Sequence, residues 1–179
     1  MLSKRLLPSL CLLSLSAISV AQGDPRAPVV PNSCTVTKSV DHTFIPPAPY
    51  RAEPSADRFW FGTDKLWTEL PVTGTLSGLP HYKPTGQTYY REKVIFWRQG
   101  YDPHSEPRPN LTVTGRRLDG PAGPLQSDGK GHGGWTNDDQ FIMTGINFPT
   151  VGCWEITGHY ESKELNESED LTFVIWVAP

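Results

Sequence analysis

No stretch of this chain is both long and unbroken enough to cross a bilayer comfortably. The longest apolar run, Leu6 to Val20, is interrupted by Pro8 and four serines. Helix-period runs of Ala, Leu, Glu and Lys are missing too, which argues against a helical bundle. No basic cluster occurs, and this argues against nucleic acid and anionic membrane surfaces as partners. Catalytic motifs are equally scarce. The nearest approach to a nucleophile elbow, Gly74-Thr75-Leu76-Ser77-Gly78, has the wrong spacing. The loop at Lys130 is followed by Gly131-His132, where a phosphate-binding loop requires Lys and then Ser or Thr. The histidines at 42, 81, 104, 132 and 159 form no H-x-H, H-x-x-x-H or H-E-x-x-H arrangement. Paired carboxylates for glycoside hydrolysis come from distant strands, so no spacing marks them.

What is present points to strands. Eighteen prolines, 16 glycines and 11% aromatics favour many short strands joined by turns, and 179 residues suit one domain. The first residues read as an address. Lys4 and Arg5 form a positive n-region, Leu6 to Val20 an apolar h-region, and Ser19-Val20-Ala21 resembles a signal-peptidase site. Cleavage after Ala21 is expected, with a secreted or periplasmic destination; the competing reading is an uncleaved anchor. Leu10 before Cys11 is the wrong residue for lipoprotein processing. Losing residues 1–21 leaves 14 basic against 19 acidic residues, a formal charge of −5. It also leaves only Cys34 and Cys153, which in an oxidising compartment most simply form one disulfide. Chain-entropy reasoning gives such a bridge about 4 to 5 kcal/mol. Free buried thiols or an intermolecular bridge are the alternatives.

Residues 22–57 carry repeated prolines, among them Pro46, Pro47, Pro49 and Pro54, and are expected to lie as an extended strap over a domain spanning 58–179. Arg58 to Phe61 and Leu66 to Leu70 suggest a hairpin around Gly62 to Lys65. Trp60 and Trp67 would form a sugar-stacking platform if exposed, but paired tryptophans are more often core. Val72 to Gly86 reads as a turn-rich connection, and Tyr89 to Trp97 as a strand covered on both faces, with Trp97 assigned to the core. Leu111 to Leu118, Gln140 to Phe148, Gly152 to Tyr160 and Leu171 to Val177 are further predicted strands. Asp119 to Gly134 is expected to be irregular and Glu161 to Asp170 a solvated acidic loop. Arg116 and Arg117 should point to opposite faces of their strand and cannot form one clamp. Asn110 and Asn166 head glycosylation sequons.

The strongest candidate binding element is the glycine-rich loop, with Asp128, Lys130, His132 and Trp135, and the acidic pair Asp138 and Asp139 after it. Loops this long inside a compact domain are usually functional or disordered, although plain turn chemistry explains these residues as well. Three carboxylates would suit calcium, but their spacing matches no calcium loop. His132 and His159 would suit copper or zinc if the loop folds over the face carrying His159. No catalytic residue and no cofactor is expected.

Leu66-Trp67-x-x-Leu70-Pro71, Gly115-Arg116-Arg117-Leu118-Asp119 and Phe148-Pro149-Thr150-x-Gly152-Cys153-Trp154-Glu155-x-Thr157-Gly158, with a closing Leu171-Thr172-Phe173-Val174, resemble a family of secreted bacterial proteins without assigned activity. The resemblance runs through most of the chain from Cys34 onward. It implies secretion and an all-β, immunoglobulin-like antiparallel β-sandwich, and it transfers no catalytic residue. The first functional expectation is a non-enzymatic binding or structural domain for a protein, glycan or envelope component; a copper- or zinc-binding periplasmic protein and a secreted hydrolase are the alternatives. Alternation sharpens one detail. Trp154, Ile156 and Tyr160 share one strand face and Cys153, Glu155, Thr157 and His159 the other. With the apolar set in the core, Cys153 must face outward, so a Cys34–Cys153 bridge should staple the strap to the outside of the sandwich.

Overall fold

A computed structural model describes residues 28–83, 86–136, 139–162 and 166–179. The expected signal segment 1–21 and the start of the expected strap therefore lie outside the described residues. The described chain is all-β apart from one short 3-10 turn, Ser39–Asp41. Eleven strands follow: β1 (Arg58–Gly62), β2 (Trp67–Pro71), β3 (Thr75–Leu76), β4 (His81–Tyr82), β5 (Tyr89–Trp97), β6 (Asn110–Arg117), β7 (Gln126–Ser127), β8 (His132–Trp135), β9 (Gln140–Phe148), β10 (Gly152–Ser162) and β11 (Glu167–Val177).

They form a two-sheet sandwich. One sheet runs β1-β2-β5-β9-β7, with β4 also on β5 and β8 also on β9; the other runs β3-β11-β10-β6. Every ladder is antiparallel except β3, which lies parallel to β11.

The period-2 pattern of the strands places the core. Phe59, Phe61, Leu66, Leu70, Phe96, Ile142 and Ile146 face inward from the first sheet and meet Trp154, Ile156, Tyr160, Phe173 and Ile175 from the second. Gly158 sits where a Cβ would come within 2.6 Å of the Phe96 ring, so the missing side chain lets that ring seat fully. Trp154 is completely buried, and its indole N–H donates to the Thr150 carbonyl at 3.1 Å.

The strap crosses the outside of both sheets. At one end Cys34 bonds to Cys153, with 5.5 Å between Cα atoms. Cys34, Val36 and Cys153 pack with Val30, Val174 and Trp176 in a cluster separate from the core. Thr37 exchanges two hydrogen bonds of 2.9 Å with Val174 and so caps the exposed edge of β11. Gly74, at φ +66°, passes directly under Val36, where a Cβ would clash. Farther along, His42 meets Phe61 edge-on at 4.6 Å. Phe44 and Tyr50 then cover Trp60, Trp67 and Trp97 on the outer face of the larger sheet.

Four expectations need correction. Trp97 is buried, but on that outer face under the strap; the tryptophan between the sheets is Trp154. Strand parity decides it, because Phe96 takes the inward direction. The connection 72–86 contains β3 and β4, and the segment 119–134 contains β7 and β8, short strands whose pairing depends on remote partners. The acidic stretch 161–170 is largely strand rather than loop, because the β10–β11 ladder continues from Gly158↔Leu171 out to Ser162↔Glu167. A hairpin arm standing in water needs no apolar face, so its composition hides it.

Candidate functional site

The tether corner is built from charge as well as sulfur. Asp119 accepts from Arg117 Nε at 2.7 Å and from the Cys153 backbone N–H at 3.1 Å. The Arg117 guanidinium, with that amide, holds the Asp119 carboxyl below the usual carboxylate range. Arg116 leaves by the opposite face and pairs with Glu155 at 2.6 Å, as alternation requires. His159 lies on the same outer face as Cys153, and its Nδ1 is 2.6 Å from Asp170. Asn110 Nδ2 donates to Glu161 at 2.8 Å, tying the first sequon asparagine to β10.

The glycine-rich loop does not gather its residues into one cluster. Asp128 is bound by the Arg91 guanidinium and accepts a long contact of 3.4 Å from Asn147, so it fastens β7 to β5. Lys130 and His132 are exposed. Asp138 lies outside the described residues. His132 is on the seven-stranded sheet and His159 on the four-stranded one, so the fold does not bring them together as ligands. Among the described residues no group of three His, Cys, Asp or Glu side chains converges for a metal. The glycines have a packing reason: a Cβ would come within 2.6 Å of Ile142 at Gly131 and within 2.8 Å of Pro103 at Gly133.

Trp135 and Asp139 do line one recess. They flank the turn between β8 and β9, which Thr136 and Asp139 close through a 2.8 Å backbone bond. Trp135 is 62% exposed, an unusual position for the largest apolar side chain. His104, from a loop far away in sequence, lies beside its ring at 5.4 Å and 35° between planes. Together with Tyr50, Thr136, Asp139 and Gln140 they line a recess of about 300 Å³. Arg51 of the strap reaches Asp139 through Nε at 3.2 Å and Glu69 through Nη2 at 2.7 Å.

Two further features left no motif in the sequence. Arg98, 8% exposed, pairs with Glu106 at 3.1 Å beneath the rings of Tyr101 and Tyr160, and the Tyr160 hydroxyl donates to the same carboxylate at 2.8 Å. Burial and that carboxylate push the Tyr160 hydroxyl up to about 12, so it stays a donor. The second is an opening through the larger sheet between β2 and β5, about 320 Å³, with Glu92 inside it. A buried arginine in a pre-proline loop and a glutamate on the core-facing side of a strand are the signals that would have pointed to them.

No described helix is long and apolar enough to cross a membrane. Compared with known proteins, this chain matches no family model, no curated protein and no solved structure.

Proposed function

We propose that this protein is a non-enzymatic binding domain of the secreted or periplasmic space, and that it recognises a glycan on the recess around Trp135. The observation that carries the reading is Trp135 itself, exposed on a strand with His104 alongside and hydroxyl, amide and carboxylate groups at its edge. An indole face offers apolar area and π-electron density to the C–H face of a pyranose, while sugar hydroxyls need the polar groups around it. A large ring held in water has desolvation energy to release when a partner covers it. The disulfide supports the compartment, since such bridges persist outside the reducing cytosol. The copper or zinc reading has no converging donor set behind it among the described residues.

The test is binding of soluble envelope polysaccharide and peptidoglycan fragments to the wild-type chain and to Trp135→Ala. Saturable binding that falls at least about tenfold on losing the ring supports the reading. Equal binding by both proteins, or no binding to any glycan fraction, overturns it.

A further inference from the structure

Strands β2 and β5 are in register only at Trp67↔Trp97 and Thr68↔Phe96. Beyond that point they part, and the far end of β5 takes β4 as its neighbour instead. The gap leads from the outer face of the sheet into the sandwich. Arg58, Glu69 and Lys93 stand at its rim, Leu70 and Val94 form its walls, and Phe173 and Ile175 of the opposite sheet close its floor.

The separation is built in. The Thr68 hydroxyl donates to the Ile95 carbonyl at 2.7 Å, and the Lys93 backbone N–H donates to Glu92 Oε1 at 2.9 Å. Pro71 ends β2 with no N–H to offer. Three of the backbone groups that would zip the two strands together are thus already bonded or absent, and the opening exists without an occupant.

The charges in it are ordered by depth. Glu69 already accepts from Arg51, the Ser55 amide and the Ser55 hydroxyl, so it has little capacity left for a ligand. Glu92 stands between Tyr90 and Val94 on β5, both of which pack against the core. Neither Glu92 nor Arg58 is in an ion pair among the described residues. Burial raises the Glu92 carboxyl above its ordinary range, and the hydrogen bond from the Lys93 amide, with the Arg58 charge nearby, only partly offsets this. The opening therefore presents a cation at the mouth, a partly desolvated carboxyl deeper in, and hydrocarbon beyond.

We propose that this opening binds an apolar α-amino acid, its carboxylate on Arg58, its ammonium on Glu92 and its side chain between Leu70, Val94, Phe173 and Ile175. A fatty acid would satisfy Arg58 but bury Glu92 against its tail, and a simple amine would do the reverse; each leaves one charge uncompensated in a drying cleft. Only a zwitterion with an apolar side chain answers all three layers. The site is separate from the Trp135 recess, and either is able to exist without the other.

Calorimetric titration of the full chain with L-leucine and L-phenylalanine tests this, against 4-methylpentanoate (no ammonium), leucinamide (no carboxylate) and glycine (no side chain). Saturable binding of the two apolar amino acids is expected, about tenfold or more weaker for each analogue. Arg58→Gln should erase the preference over leucinamide, Glu92→Gln the preference over 4-methylpentanoate, and Val94→Trp should fill the chamber and abolish binding. Glycan binding at Trp135, measured in the same variants, should not change, which also shows that they fold. No heat with either apolar amino acid, analogues that bind as well as leucine, or a folded Val94→Trp that binds normally would each overturn the proposal. Because the analogue series uses the unaltered protein, it decides the matter even if a variant does not fold.

Discussion

Trp154 and Trp67 are equally inaccessible, each 0% exposed, yet different things hide them. Trp154 lies between two sheets whose ladders hold it from both sides, and its indole N–H has an acceptor. Trp67 lies on the outside of one sheet, covered by Phe44 and Tyr50 of a strap that contributes no strand among the described residues. The Nε1 atoms of Trp67 and Trp97 meet no acceptor among the described residues; only Trp60 does, at the Ala52 carbonyl. Burial alone therefore does not measure how firmly a residue is held. The core is enclosed by regular hydrogen bonding, whereas the outer tryptophans depend on a cover fastened at a few points.

Cutting the covalent fastening is the sharpest way to break that comparison. Replacing Cys34 and Cys153 by serine should cost about 4 to 5 kcal/mol in chemical denaturation, from the restored freedom of a 119-residue separation. Limited proteolysis should then nick the strap at Lys38 or Arg51 while the sandwich survives. Simultaneous loss of strap and sandwich would show that the two regions are one cooperative unit.

Next in size, Trp154→Ala and Trp67→Ala should each cost about 3 to 5 kcal/mol. Hydrogen exchange separates them: Trp154→Ala should open β10 and β11, and Trp67→Ala only the strap with β1, β2 and β5. Identical exchange maps would erase the distinction. Tyr50→Phe removes the 2.6 Å bond to the Arg98 carbonyl, and should cost about 1 kcal/mol while loosening the strap first.

The smallest effect is one of pH. The Asp119 carboxyl has its folded pKa depressed by Arg117, so its contribution is complete above the unfolded value of about 4 and is lost as pH falls through the lower folded value. Asp119→Asn should therefore flatten the acid limb of the stability profile and leave its alkaline limb alone. An unchanged acid limb would mean that the Arg117 contact does not govern the tether corner.

The parts legible in the sequence were those with a local period. Alternation in β10 was enough to send Cys153 outward and to put the disulfide on the outer surface, and the Cys34–Cys153 bridge follows that logic. Alternation does not say which face of β5 meets the other sheet, since Ile95, Phe96 and Trp97 leave both faces apolar, so the burial of Trp97 is legible but its cover, the strap, is not. The Trp135 recess joins His104, Tyr50 and Asp139, residues that only the folded chain brings together. The opening beside Glu92 arises because β2 and β5 part after Thr68↔Phe96, a divergence between remote segments that leaves no spacing to read.

The strap is among the first parts of the chain to be made, yet its anchor, Cys153, comes 119 residues later. The partner of Cys34 does not exist until nine of the eleven strands have been synthesised. In a chain that emerges N-terminus first, the native bridge therefore closes only after most strands of the sandwich have been made.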